Sequence, residues 1–393
     1  MSQRVLVAAL RPTGGGVRRM VELACSLLER RGYIPVLAYY EPYSLSPELS
    51  TPLFAPFRRP AVRRETSVGG REAWAIGAWF PELEFTHYSL TRHWRRVIDS
   101  CDLHLVVSGN CLAATALVES ATPFLGWIAT SWEDDRRDRV QQFPWIRRQV
   151  DRFINAPRLR RLERQILSTE NFLALSRYTQ ASIASLGLGR EAGILPMPID
   201  QEFFAPAPDE VRPGRVAFVG RVDDPRKNAH LLIEAISVLR QRGIDVELVM
   251  AGCDPAGPMQ QALAERGNTH YRGLPQLAQP EVAALLRTVD VFVVPSHQEG
   301  LCIAALEAMA SGCPVISTRC GGPEEFVRDG ETGLLVDSSA EDLAAAIDRV
   351  VNDRCLRHRM STAARLVVES EYSIPRATEL FWTAFERQFS IGV

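Results

Sequence analysis

Lysine is all but missing from this chain: of 45 basic residues, 44 are arginine and one, Lys227, is lysine. Such lopsided usage reads as a bias of the whole sequence. The exception is either chance or a place where a compact ammonium is needed and a planar guanidinium does not serve. No surplus of one charge exists either, with 45 basic against 47 acidic residues, which excludes a generic nucleic-acid binder. No run of 18 apolar residues occurs, so no membrane-spanning helix is expected. The eight cysteines form no C-x-x-C pair and read as buried, reduced thiols, which places the chain in the cytoplasm. The segment Val5–Leu10 is too short and too poorly flanked for a signal peptide. Neither G-x-G-x-x-G nor G-x-x-x-x-G-K-[ST] is present, so neither a dinucleotide fingerprint nor a Walker loop is supported.

What is present is 393 residues, 46% of them hydrophobic, enough for two domains each with its own core. Strand-like runs at 4–10 and 33–40 flank a helical pattern over 17–30 that closes at Gly32, a βαβ unit that favours a parallel sheet. Further strands are expected at 103–107, 124–129 and 171–175. Between Glu41 and Phe85 six prolines break the rhythm, which suggests a binding loop or an irregular cap. A second βα series has strands expected at 215–219, 246–251, 270–272, 291–294 and 314–317. Helical patterns alternate with them at 228–242, 258–266, 279–288, 301–311 and 340–353. The fold class is therefore α/β, with two Rossmann-like domains of parallel sheet whose carboxyl ends face a cleft. Their expected limits are 1–196 and 214–372, with a linker over 197–213 and a last helix within 373–393 that packs back on the first domain.

The strongest motif runs from His297 to Pro314 and places Glu299 just before a helix and Glu307 in its second turn, with Gly312 and Pro314 ending it. Free N–H groups of the first turn, between the two glutamates, offer a cradle for an anion. Two carboxylates about such a cradle suit a ligand with hydroxyls at both ends and phosphates between, as in a nucleotide-sugar; an amphipathic helix with two glutamates is the plain alternative. The second motif, Gly220-Arg221 to Lys227-Asn228, lies where an open α/β sheet binds ligand. Arg221 and Lys227 are placed to aim two cations at one diphosphate, or else to pair with Asp223 and Asp224 at the surface. The third, Thr13-Gly14-Gly15-Gly16-Val17, permits close backbone approach to a ligand.

Taken in order, Gly15-Gly16-Val17, Gly220-Arg221 with Lys227, Glu299-x7-Glu307 and Gly321-Gly322-Pro323-Glu324-Glu325 with Gly330-Glu331-Thr332-Gly333 resemble retaining glycosyltransferases of family 4, which have the GT-B fold. The resemblance is close over about 214–370 and loose before it. It implies transfer of a sugar from a UDP- or GDP-linked donor to an acceptor hydroxyl, with no metal and no other cofactor. Glu307 would hold the ribose hydroxyls and Glu299 those of the transferred sugar. The backbone at Gly300, Leu301 and Cys302 would meet that sugar and the β-phosphate. Arg221 and Lys227, beside Gly220, would stabilise the leaving diphosphate. Gly15 and Gly16 would close over it from the first domain, and the backbone at Arg272 and Gly273 would line the base pocket. Where relatives often carry a histidine after the strand at 124–129, this chain reads Thr130-Ser131-Trp132-Glu133-Asp134, and Met20 stands where many have histidine. Ser131, Trp132 and Glu133 are therefore the candidates for the acceptor side.

Two other activities compete on the same scaffold: a phosphorylase or nucleotide-sugar epimerase, and a non-catalytic sensor of sugar nucleotides. One segment lies outside the motifs. Residues 136–164 carry ten arginines interleaved with Phe143, Trp145, Ile146 and Phe153, either a solvated helix face or a peripheral contact with anionic membrane at its inner face.

Overall fold

The computed structural model describes residues 2–391 apart from 13–14, 56, 142, 170, 187–191, 208–209 and 267–269. The chain divides into two units, one of residues 1–195 with 378–393 and one of residues 196–377. Thr13 and Gly14 of the first glycine-rich turn lie outside the described residues.

The first unit runs β1 (Arg4–Ala9), α1 (Gly15–Arg30), β2 (Ile34–Tyr40), β3 (Val62–Thr66), β4 (Glu72–Ile76), α2 (Arg92–Asp99), β5 (Leu103–Ser108), α3 (Thr115–Glu119), β6 (Leu125–Ile128), α4 (Trp132–Gln141), α5 (Trp145–Val150), α6 (Ala156–Thr169), β7 (Asn171–Ala174), α7 (Arg177–Ala184) and β8 (Gly193–Ile194). Its sheet has the order β3-β4-β2-β1-β5-β6-β7-β8, parallel throughout except for β3, which runs antiparallel to β4. The central strands are covered on both faces, so they read as unbroken apolar runs rather than alternating ones: Val5 to Ala9 of β1 are all buried. Leu6 of β1 pairs with Val36 on one side and His104 on the other.

The proline-punctuated stretch from Glu41 to Phe85 is a sheet extension as well as loop. It contributes β3 and β4 as a hairpin; Pro42, Pro47, Pro52, Pro60 and Pro81 fall outside the two strands, and Pro56 lies outside the described residues. Proline cannot donate to a ladder, so it marks the ends of these strands and not their interiors. β3 is an edge strand with Arg63, Arg64 and Glu65 in its middle, and its polar composition hides it from an apolar-run reading.

The second unit runs β9 (Arg215–Val219), α8 (Ala229–Gln241), β10 (Glu247–Ala251), α9 (Pro258–Glu265), β11 (Tyr271–Leu274), α10 (Gln279–Arg287), β12 (Val291–Val294), α11 (Ile303–Ala310), β13 (Val315–Thr318), β14 (Gly333–Val336), α12 (Ala340–Asn352) and α13 (Arg354–Glu371). Its sheet is all parallel, in the order β11-β10-β9-β12-β13-β14. Numbered from its own first strand, that order is 3-2-1-4-5-6, which reverses direction between β9 and β12. Loops leaving the carboxyl ends of those two strands therefore open a crevice, the ligand position of a doubly wound sheet.

Residues 197–213, read as a linker, group with the second unit. Arg365 of α13 donates to the carbonyls of Gln201 at 3.0 Å, Phe204 at 2.7 Å and Ala310 at 2.6 Å, and Phe204 is buried. The last helix, α14 (Ile374–Phe389), begins in the second unit, and from Thr378 onward it groups with the first. There Trp382 stacks on Tyr33 with ring centroids 6.0 Å apart, and Gln388 Nε2 donates to the Phe124 carbonyl at 2.8 Å.

Candidate active site

The topological reversal brings two loops together, one after β9 and one after β12. The β9 loop turns at Gly220, whose N–H donates to the Ala251 carbonyl at 3.0 Å. Gly252, next along from Ala251, has φ 102°, and a Cβ there would fall 1.8 Å from the Gly220 carbonyl oxygen. Only glycine allows that approach, which fixes where the loop leaves the sheet. Asp224 then caps a single 3-10 turn over Pro225–Lys227 by accepting from Arg226 N at 3.1 Å, and Asn228 takes the left-handed conformation before α8 begins. The loop is tied to its neighbour by His297 N–H, which donates to the Arg226 carbonyl at 2.8 Å.

Within this frame Lys227 Nζ donates to Glu299 Oε1 at 2.6 Å, across 72 residues of sequence. Ser296 Oγ donates to the same oxygen at 2.7 Å, and the Ser296 carbonyl accepts from Thr318 Oγ1 at 2.6 Å. Burial works against the Lys227 charge, but the facing Glu299 carboxylate outweighs it and raises the ammonium above the ordinary lysine range. Burial and then Glu299 push the Cys302 thiol far up, so that sulfur stays protonated and inert.

The β12 loop is held by backbone. Glu299 N–H donates to the Cys320 carbonyl at 2.8 Å, and Gly322 N–H returns a bond to the Glu299 carbonyl at 2.9 Å. A Cβ on Gly322 would lie 2.5 Å from both the Gly300 oxygen and Leu301 Cα, so the glycine pair at 321–322 is what lets this segment lie against the loop. Cys302 closes the loop with φ 68°, and α11 starts at Ile303, two residues later than the sequence pattern suggests. Its first intrahelical donors are Ala305 and Leu306, both bonding the Cys302 carbonyl. Among the described residues, the N–H groups of Gly300, Leu301, Cys302, Ile303 and Ala304 donate to no protein oxygen. Glu307 follows in the same helix and is 2% exposed.

Arg221 and Lys227 do not share a partner. Arg221 is 71% exposed at its side chain, with Nη2 2.8 Å from Asp224 Oδ2. Arg226, which the motif reading passed over, holds the same carboxylate at 3.0 Å. Burial disfavours the Asp224 charge, but Arg226 and Arg221 together outweigh it and hold that carboxyl below its usual range. Asp223, the other expected surface partner, instead accepts from the backbone of Asp254 at 3.1 Å and Met259 at 3.3 Å. Ser296, three residues before Glu299, was also missed; a small hydroxyl that close to a carboxylate is the signal that marks it. On the other side of the sheet order, Arg272 is exposed on β11, and Gly273 lies against the end of the Gln260 side chain of α9.

In the first unit, Gly15 and Gly16 open α1 directly after the β1 loop, and Met20 is buried in the core. The acceptor-side candidates are largely engaged. Ser131 is buried and donates to Asp134 Oδ2 at 2.9 Å, an oxygen that also accepts from Ser182 Oγ at 2.6 Å. Trp132 is buried and its backbone N–H donates to Glu163 Oε1 at 2.7 Å. Burial raises the Glu163 carboxyl to about 7. Glu133 is less buried and pairs with Arg160 at 2.9 Å. Among the described residues, no three His, Cys, Asp or Glu side chains converge as a metal-ligand set.

Residues 200–367 match the family described as Glycosyl transferases group 1. Over 283 residues the chain is 30% identical to the MMP alpha-(1->4)-mannosyltransferase of Mycolicibacterium hassiacum, an overlap of 68% of this chain and 67% of that enzyme. It is 36% identical over 159 residues to the lipopolysaccharide core biosynthesis glycosyltransferase LpsE of Rhizobium meliloti, 40% of this chain and 45% of that one. It is 33% identical over 191 residues to the phosphatidyl-myo-inositol mannosyltransferase of Mycobacterium tuberculosis, 46% of this chain and 50% of that one. The match to the last two thus spans about half their length or less. Sucrose-phosphate synthase of Thermosynechococcus elongatus shares the fold with a TM-score of 0.74 at 17% identity, covering 99% of this chain and 100% of that one. The Anabaena protein HepE in complex with UDP does so with a TM-score of 0.70 at 14% identity, covering 98% and 100%.

Proposed function

Since the chain belongs to the group 1 glycosyltransferases, of family 4 and the GT-B fold, we propose that it moves a sugar from a nucleoside-diphosphate sugar to an acceptor hydroxyl with retention at the anomeric carbon. The observation that carries this reading is the run of five unengaged N–H groups from Gly300 to Ala304, flanked by the Lys227–Glu299 pair and by Glu307. Such a run is a fixed set of dipoles for a diphosphate at a helix start. Glu299 Oε1 is occupied by Lys227 and Ser296, while Oε2 remains for a hydroxyl of the donor sugar. Glu307 takes the ribose hydroxyls. HepE, of the same fold, binds UDP, and we assign UDP or GDP to this chain's donor.

In the step itself the bond from the anomeric carbon to the β-phosphate oxygen breaks. The acceptor oxygen bonds to the same face of that carbon, and its proton passes to the departing diphosphate. The protein holds both substrates together on that face and supplies positive potential where charge develops. Lys227 and the helix-start N–H groups do so directly, and Arg221, exposed on the β9 loop, completes the clamp by exchanging Asp224 for phosphate. With those cations in place no metal is needed. The first unit takes the acceptor, a glycan, lipid-linked or small-molecule hydroxyl. The eight free thiols fit a reducing cytoplasmic compartment.

The test is incubation with UDP- and GDP-sugars and a panel of acceptors in EDTA, followed by NMR of the product's anomeric centre. Release of nucleoside diphosphate only with acceptor present, with retained configuration, is expected. An inverted product, or turnover that returns only with Mn²⁺, would remove the corresponding part of the proposal.

A further inference from the structure

The first unit carries two groups of exposed apolar side chains. In α5 and the π turn after it (Asp151–Asn155), Trp145 is 67%, Ile146 70% and Phe153 68% exposed, and Phe57 of the loop after Thr51 is 98% exposed, with Leu53 and Phe54 nearby in sequence also in solvent. The segment 79–85 joins the two groups. Glu82 accepts from Leu53 N at 3.1 Å, and Glu84 pairs with Arg136 while its own N–H donates to Asn155 Oδ1 at 3.2 Å. Large apolar side chains left together in water mark a surface that meets something else.

Charge says what that is. Beside α5 lies a cavity of about 610 Å³ whose wall includes Arg136, Arg137, Arg148, Arg152, Arg160 and Trp145. Arg136 is taken up by Glu84 and Asp151, Arg137 by Asp134 and Arg160 by Glu133. Arg148 and Arg152 form no ion pair among the described residues. Arginines left without carboxylates between exposed Trp, Ile and Phe side chains match the two layers of an anionic membrane surface: phosphates above, acyl chains below. Among the described residues, no helix is long and apolar enough to cross a membrane, so the contact is one of seating on the surface.

We propose that this face of the first unit, formed by α5, the π turn and the side chains of Leu53, Phe54 and Phe57, docks on a bilayer of anionic lipid. The proposal rests on the transfer reading above and narrows its acceptor to one presented at a membrane.

The full chain is mixed with phosphatidylcholine vesicles, with or without 30% phosphatidylglycerol, and floated on a density gradient. Flotation is expected only with the anionic vesicles and is lost in 0.5 M NaCl. The double variants Phe57→Ser/Trp145→Ser and Arg148→Ala/Arg152→Ala should each lower the bound fraction about tenfold or more. Thermal shift by UDP or GDP, unchanged in both variants, shows that they remain folded and keeps the donor-site reading separate. Three results would overturn the proposal: no flotation with anionic vesicles, flotation that survives in both variants, or light scattering that shows the apolar face buried in a self-associated form. A rise in melting temperature with inorganic phosphate alone, abolished in Arg148→Ala/Arg152→Ala, would also overturn it by assigning the cavity to a soluble anion.

Discussion

Lys227 Nζ lies 2.6 Å from Glu299 Oε1, and through that contact the loops after β9 and β12 act as one site. Neither residue could be placed there by its own segment. The pairing follows from a sheet order that sets β9 beside β12. Because both side chains are mostly buried, the pair is worth more as a fixed orientation than as net stability.

Lys227→Ala should lower kcat for sugar transfer by roughly 10²–10³, the usual loss for one preorganised group at a developing anion. Lys227→Arg should recover little of it, since a planar fork cannot take the position of a compact ammonium that shares Glu299 Oε1 with Ser296. Steady-state release of nucleoside diphosphate measures both. A Lys227→Arg enzyme with wild-type turnover would show that any cation suffices.

Ser296→Ala removes one of the two donors on Glu299 Oε1. A hydrogen bond to a charged group contributes roughly 1.5–3 kcal/mol at most, and Lys227 remains to orient the carboxylate. The expected outcome is a KM for donor raised by about tenfold with kcat reduced less. A fall in kcat without change in KM would place Ser296 in the transition state instead.

Gly322→Ala forces a methyl to within 2.5 Å of the Gly300 oxygen, and backbone on both sides has no side chain to yield. Donor-induced thermal stabilisation should vanish, and the melting temperature should fall by several degrees, in line with a cost of about 1–3 kcal/mol for overpacking. Calorimetry with and without UDP or GDP checks it.

Glu163 gives a pH dependence whose sign is opposite to that of an ion-paired carboxylate. Burial raises its pKa from 4.5 to about 7, so the folded chain binds this proton more tightly than the unfolded one. The stabilisation is complete below about 4.5 and is lost as pH rises through about 7. Glu163→Gln should flatten that part of the stability profile, by on the order of 1–3 kcal/mol between pH 4.5 and 8. Urea unfolding across this range reads it, and equal slopes in the two proteins would contradict the assignment.

The βα rhythm was legible because buried parallel strands announce themselves as apolar runs: β9 and β12 have the very limits that the runs suggest. β3 escaped because its middle is Arg63-Arg64-Glu65, and β14 because Gly333–Val336 reads first as part of a motif. At the site, spacing and scarcity singled out Glu299 and Lys227. What spacing cannot encode is partnership. Arg221 and Lys227 sit six positions apart and looked like a matched pair, yet one faces water beside Asp224 and the other is drawn inward to Glu299. That outcome depends on which loop lies opposite, a fact of topology. Arg226 escaped for the same reason: its carbonyl and its side chain serve different neighbours, His297 and Asp224.

The scarcity of lysine has a practical side. A chain with a single ε-amino group, held against a carboxylate and 19% open to solvent, carries its own reporter. Any amine-directed label that acylates a lysine in this protein has reacted at Lys227 and nowhere else. The rate of that labelling, followed as sugar nucleotides are titrated in, becomes an occupancy gauge that needs no tag, no substitution and no knowledge of the acceptor.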